Sequence, residues 1–240
     1  MIDWLRQSPD PVVRLPDGER LPLALRRHPT ARRMVLRLAP DGAEARLTMP
    51  RWARTAEALA FAQGRADWLA AQRARIPQRV TIGHGAQVPW RGALLTLDWQ
   101  KGAPRTPRLA GERLVLGGEP SAITRRVQRW MEQQARALMA DDLAHYAARA
   151  GLPPPPLALS RATRRWGSCS ASGAVRLNWR LVMAPDFVRR SVAAHEVAHL
   201  VHFDHSPAFH ALLADLYEGD LPAANRWLRD HGRTLYAPFG

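Results

Sequence analysis

Short apolar runs broken by turn residues fill the first 50 positions of the chain. Met34-Val35-Leu36-Arg37-Leu38 and Ala45-Arg46-Leu47-Thr48-Met49 flank Pro40-Asp41-Gly42, a pattern that predicts a β-hairpin. From residue 55 to about residue 75, Leu59, Phe61, Ala62, Trp68 and Leu69 supply the apolar content of one helix. Gly64 weakens that helix by about 1 kcal/mol relative to alanine. Strand-like runs return at residues 80–82, 94–99 and 114–116, separated by Gly and Pro. Residues 1–120 therefore read as a small β-rich part carrying one helix.

The second part, residues 121–240, opens differently. Ser121 is placed to cap a long helix that runs to Ala150 and ends at Gly151. Pro153 to Pro156 then forbid helix and form a stiff connector. Strands are expected at 157–161, 164–170 and 175–179, with Ser172-Gly173 turning between the last two. Pro185-Asp186 starts the next helix, with Asp186 as its cap; Ser206-Pro207 starts another, and Pro222 begins a last one that stops before Gly232. The expected fold class is α+β.

Composition changes this picture only in part. The 240 residues are 46% hydrophobic with 9 Trp, which excludes a disordered chain. No apolar run reaches the roughly 18 residues of a membrane helix. The opening Met1-Ile2-Asp3-Trp4-Leu5-Arg6 has no basic stretch followed by an apolar one, so no membrane partner and a cytoplasmic location are expected. A single cysteine, Cys169, excludes an internal disulfide and a cysteine-only zinc site. The net charge of +14 invites a nucleic-acid partner. However, Lys101 is the only lysine, and the other 34 basic residues are arginines, as a GC-rich coding bias would write them. The excess is concentrated early: residues 1–150 hold 25 basic and 14 acidic side chains, residues 151–240 hold 10 and 7.

The candidate chemistry lies in the less charged stretch. His195-Glu196-Val197-Ala198-His199 is an H-E-x-x-H motif on a predicted helix. At i and i+4 both imidazoles stand on one face, close enough to share a zinc ion at about 2.0–2.1 Å each. Glu196 points partly off that face and can address a water at the metal without ligating it. A catalytic zinc needs a third protein ligand. His202, His205, His210 and Glu218 lie downstream. In a continuing helix His202 would sit about 10 Å along the axis from His195, too far for one ion. His205 follows Phe203-Asp204 and precedes Pro207, so the chain can turn and return its ring. The His199-to-His205 step matches the metzincin pattern, but His202 replaces the turn glycine and no methionine follows Met183, so a metzincin is excluded. His202 and His210 read as surface or core-edge residues, with His202 also a candidate transition-state donor, and Cys169 as a small packed side chain. Trp166 and Trp179 belong to a hairpin that can serve both as a core for the zinc helix and as a wall holding an extended peptide.

Together, Arg165-Trp166-Gly167-Ser168-Cys169-Ser170, Leu177-Asn178-Trp179-Arg180-Leu181, the H-E-x-x-H motif and His205-Ser206 with Phe209 resemble the YgjP-like metallopeptidase domain family. That family is grouped with the SprT-like zincin metalloproteases. Arg33 to Pro50 and the Trp68 helix resemble it more weakly, so the likeness covers most of the chain. The resemblance implies a zincin-like second part, zinc held by His195, His199 and His205, and Glu196 as general base and acid. Val197 stands where the family often has Leu, and residues 216–222 depart from the family's shorter acidic-proline turn.

The leading expectation is a zinc-dependent peptidase acting on a peptide or protein. A metal-dependent nucleotide phosphohydrolase is the first alternative, though no Gly-rich phosphate loop or acidic magnesium cluster is present. The second is a DNA-associated protein recruited through Arg26, Arg27, Arg32 and Arg33, an idea to which the SprT-like resemblance adds.

Overall fold

The computed structural model describes residues 11–39, 42–74, 80–163 and 165–239. It is an α+β chain that divides into two units, Met1–Pro77 and Gln78–Gly240. The division therefore falls well before the boundary expected near residue 120. The reason is a shared core: Val88, Trp90, Leu95, Leu97, Leu114 and Leu116 pack in one cluster with Val127 and Met131. Trp90 meets Trp130 at a ring separation of 4.7 Å. Residues 80–120 thus belong with the second unit.

In the first unit, β1 (Val12–Arg14), β2 (Arg20–His28), β3 (Val35–Leu38) and β4 (Ala45–Pro50) form one sheet in the order β1-β2-β4-β3. Only the β2–β4 pair is parallel. Alternation decides the faces: Leu21, Leu23, Leu47 and Met49 turn inward against Ala58, Ala62 and Leu69. The predicted hairpin is the antiparallel pair β3–β4, with Leu38 opposite Ala45. Pro40 and Asp41 of its turn lie outside the described residues, as do Met1 to Arg6 and Arg75. The single helix expected at 55–75 is two, α1 (Thr55–Gln63) and α2 (Ala66–Ala74). After Gly64 the Arg65 N–H bonds Ala62 O, and the Phe61 carbonyl is taken by the Arg65 guanidinium at 3.2 Å. The side chain replaces the ladder bond, so the helix stops and restarts.

The second unit begins with β5 (Gln87–Trp90), β6 (Ala93–Trp99), β7 (Arg108–Ala110) and β8 (Arg113–Leu116), ordered β5-β6-β8-β7. Residues 80–82 are irregular rather than a strand: the Val80 N–H donates to the carbonyl of distant Ala237 instead of to a neighbouring strand. Ser121 sits in a 3-10 turn, and α3 (Ile123–Arg149) starts two residues after it without a side-chain cap. That helix ends as expected, with Gly151 at φ 68. The strands β9 (Leu157–Ser160), β10 (Gly167–Cys169) and β11 (Val175–Asn178) follow, ordered β10-β11-β9, which leaves β10 an edge strand. Gly173 turns between β10 and β11 at φ 78. A 3-10 turn, Trp179–Met183, then leads to α4 (Asp186–Ala198), α5 (Pro207–Leu216) and α6 (Leu221–His231). Among the described residues no helix is long and apolar enough to cross a membrane.

Asp186 is the first residue of α4 and not its side-chain cap, because its carboxylate is drawn to Arg91 and Arg189. Arg189 is only 3% exposed and also binds Asp142 of α3 at 2.7 Å. This buried pair fixes α4 against α3. Removing Asp142 leaves the buried Arg189 charge with only the half-buried Asp186 as partner, a loss toward the lower end of about 3–5 kcal/mol. Asp142→Ala should show that loss in urea unfolding; a loss below about 1 kcal/mol would mean the pair does not hold the helices.

Candidate metal centre

α4 points its C-terminal end at the candidate site. Val188, Val192, Ala193 and Val197 bury one side, and the H-E-x-x-H residues occupy the last turn. The helix stops at His199 instead of continuing. Leu200 and Val201 bond back to Val197 and Ala198 in tight turns, and the His202 carbonyl curls round to face the His199 ring. Nδ1 of His199 lies 3.0 Å from that carbonyl. A carbonyl only accepts, so Nδ1 carries the proton and Nε2 presents a lone pair. Asp204 then accepts from the Ser206 N–H, and Ser206 caps α5 by accepting from the Phe209 N–H. That cap and Pro207 are the helix start read from the sequence.

This reversal brings His205 back. Its Nε2 lies 3.4 Å from Nε2 of His195, and Nε2 of His199 lies 3.1 Å from the same atom. The nearest donor atoms of the three residues all fall within 4.8 Å of one another. Two nitrogens bound tetrahedrally at about 2.0–2.1 Å stand roughly 3.3 Å apart, so the spacing fits a zinc-sized ion. Three imidazoles also suit that ion chemically. Burial, reinforced by His199, His205 and His210, lowers the His195 pKa to about 4, so the ring is neutral and ready to ligate. Phe209 is fully buried beneath all three, with its ring centre 5.0, 4.5 and 4.9 Å from those of His195, His199 and His205. A flat apolar floor leaves these rings little freedom to rotate away.

Glu196, next to His195 in the chain and lining the same cleft, packs its carboxylate against Gly167 of β10. Its side chain is almost wholly buried and Oε2 has no hydrogen-bond partner. Burial raises its pKa to about 7, with the Arg165 charge opposing the rise. Gly167 makes the room: a Cβ there would overlap the Glu196 carboxylate. The glycine of the R-W-G-S-C segment is thus a notch for the acid on the next helix. Cys169, two residues on in β10, is half-buried, and burial next to Glu196 raises its thiol pKa. It is not among the clustered donors.

A cleft of about 340 Å³ opens beside His195 and Glu196, walled by Trp166, Val192, Leu213, Leu221 and Leu228, with His210 at its edge. Of the two tryptophans read as hairpin mass, Trp179 is fully buried while Trp166 is half-buried and faces this cleft. Glu218, one of the four downstream candidates, is held by Arg149 and Arg190 away from the histidines. Phe209, Gly167 and the His202 carbonyl were not foreseen as parts of the site. The first had a signal in its place three residues after the Ser206 cap, on the first turn of α5.

Three histidines and a buried carboxylate at one cleft are the equipment of a metal-dependent hydrolase. The chain belongs to the YgjP-like family, whose metallopeptidase-domain model matches residues 32–231. No curated protein and no solved structure matches it significantly.

The two shifted groups oppose each other in the metal-free protein. Glu196, raised from 4.5 to about 7, contributes stability that is full below pH 4.5 and lost as pH rises through 7. His195, lowered from 6.5 to about 4, contributes stability present above pH 6.5 and lost as pH falls through 4. Glu196→Gln removes only the first effect. After chelation, that variant should be more stable than its parent at pH 8, by at most about 3 kcal/mol. Thermal unfolding should show the advantage vanish by pH 4.5. Equal stability at both pH values would mean the carboxylate is not buried as described.

Proposed function

We propose that the chain is a zinc-dependent peptidase in which His195, His199 and His205 hold the metal and Glu196 moves the proton. The observation that carries this reading is the unpartnered Oε2 of a buried Glu196, set beside three converging imidazoles. A zinc ion held there supplies a Lewis acid that polarises a carbonyl and makes water more acidic. Glu196 accepts the proton of the water that attacks the carbonyl carbon. It then delivers that proton to the amide nitrogen as the C–N bond breaks, so carboxylate and amine leave. The raised pKa near 7 suits a group that must both take and return a proton at neutral pH.

The surroundings favour a peptide over a nucleotide. β10 is an edge strand beside Glu196, so its outer main-chain groups can pair with an extended substrate. The adjoining cleft is walled mainly by apolar side chains and, among the described residues, no Lys or Arg lines it, so it accepts an apolar side chain and offers little counter-charge to a triphosphate.

The zinc-loaded protein should cleave an unfolded protein substrate and leave a nucleoside triphosphate intact when both are assayed side by side. Glu196→Gln should retain zinc and lose about 10²–10⁴-fold in turnover. Undiminished proteolysis by that variant would refute the role of Glu196, and phosphate release exceeding proteolysis would replace the peptidase reading with the nucleotide one.

A further inference from the structure

The outer face of the first unit's sheet is a separate candidate, unrelated to the metal centre. Its strand register sets which residues share that face. Leu21, Leu23, Ala45 and Leu47 are buried, so their neighbours in sequence point outward. Arg14 is opposite Arg20 in the β1–β2 pair. Arg26 is opposite Thr48, and Ala24 opposite Arg46, in the β2–β4 pair. Arg37 is opposite Arg46 in the β3–β4 pair. One face of four strands therefore carries Arg14, Arg20, Arg26, Arg37 and Arg46, while the helices' core lies on the other face.

Four of these charges have no ion pair among the described residues: Arg14, Arg20, Arg26 and Arg37, whose side chains are exposed. Arg46 pairs with Glu44 at 2.6 Å. None of the four strands contains an acidic residue. Arg27, by contrast, is not available: its guanidinium binds the carbonyls of Arg51 and Ala53 and the Thr55 hydroxyl, which ties the end of β2 to the start of α1. The charges that remain spread widely. Arg20 and Arg26 are about 20 Å apart along one strand, and Arg37 lies about 10 Å across the sheet from β2.

We propose that this sheet face, through Arg14, Arg20, Arg26 and Arg37, docks the phosphate backbone of double-stranded nucleic acid. A small anion reaches one or two of these guanidiniums, whereas a stiff polyanion meets all four at once. Val12, Pro22, Ala24, Val35 and Thr48 lie between them, so no aromatic ring on which unpaired bases could stack stands among the four arginines; the ring of His28, at the end of β2, is bound to Thr30. It equally carries no long apolar side chain to insert among lipids. The binding is sequence-independent, because guanidinium-to-phosphate contacts position the duplex without reading it.

The full-length protein tests this with a fluorescent mixed-sequence DNA duplex titrated at several salt concentrations. Each phosphate contact contributes about 0.9 to the slope of log affinity against log salt. R14Q/R20Q/R26Q/R37Q should lower that slope by about 3.6 and weaken binding by about tenfold or more. R20Q/R26Q alone should remove about half the slope change and serves if the fourfold variant misfolds. R105Q/R108Q/R125Q/R129Q removes the same charge from exposed positions of the second unit and should leave the slope near its parent value. Equal weakening by that control would assign binding to net charge and overturn the proposal. Unchanged binding by the sheet variants would overturn it as well, and so would a parent that binds anionic phospholipid vesicles but no duplex.

Discussion

The proposed site depends on α4 ending at His199. Had the helix continued, His205 would stand about 9 Å further along its axis, beyond the reach of an ion shared with His195 and His199. The bond between His199 Nδ1 and the His202 carbonyl draws the turn closed. One interaction thereby does two things: it reverses the chain, and it selects the imidazole tautomer whose Nε2 faces the other two rings. Everything downstream follows from that reversal. Ser206 caps α5, α5 places Phe209 under the rings, and the three nitrogens meet within 4.8 Å.

Glu196 answers a different constraint. A carboxylate next to a metal site must be near the reacting atoms yet not satisfied elsewhere. Gly167 solves this with the absence of a side chain, so β10 approaches closely and Glu196 is enclosed without being hydrogen-bonded at Oε2. The cost of burying that carboxylate appears as its pKa near 7. α4 carries this burden because it is anchored at its other end by Arg189, which reaches Asp142 of α3 and Asp186 in its own first turn.

Much of the site was legible because its chemistry is written locally. H-E-x-x-H needs only helical periodicity to align His195 and His199, and Ser206-Pro207 announces a new helix that lets His205 return. The less local parts were not legible. The Gly167 notch joins residues 29 positions apart in the chain, and the use of a main-chain carbonyl at 202 leaves no trace in residue type. In the fold, the α+β class and strands β6, β8, β9, β10 and β11 were readable from alternation and turns, whereas β5 and β7 were not read and residues 80–82 are not a strand. The division at residue 77 was not, because it depends on Trp90 and the β6 and β8 leucines packing with α3, a contact no local pattern reveals. The break at Gly64 was signalled by glycine, but its stabilisation by Arg65 on the Phe61 carbonyl is tertiary detail.

The central claim is that three histidines from two sides of one chain reversal share a single ion. Metal analysis of the purified protein beside His205→Ala tests it most directly. The account predicts one zinc per chain in the parent and a much weaker retention of zinc on dialysis in the variant. A parent that binds no metal, or a variant that holds zinc as tightly as the parent, would contradict it.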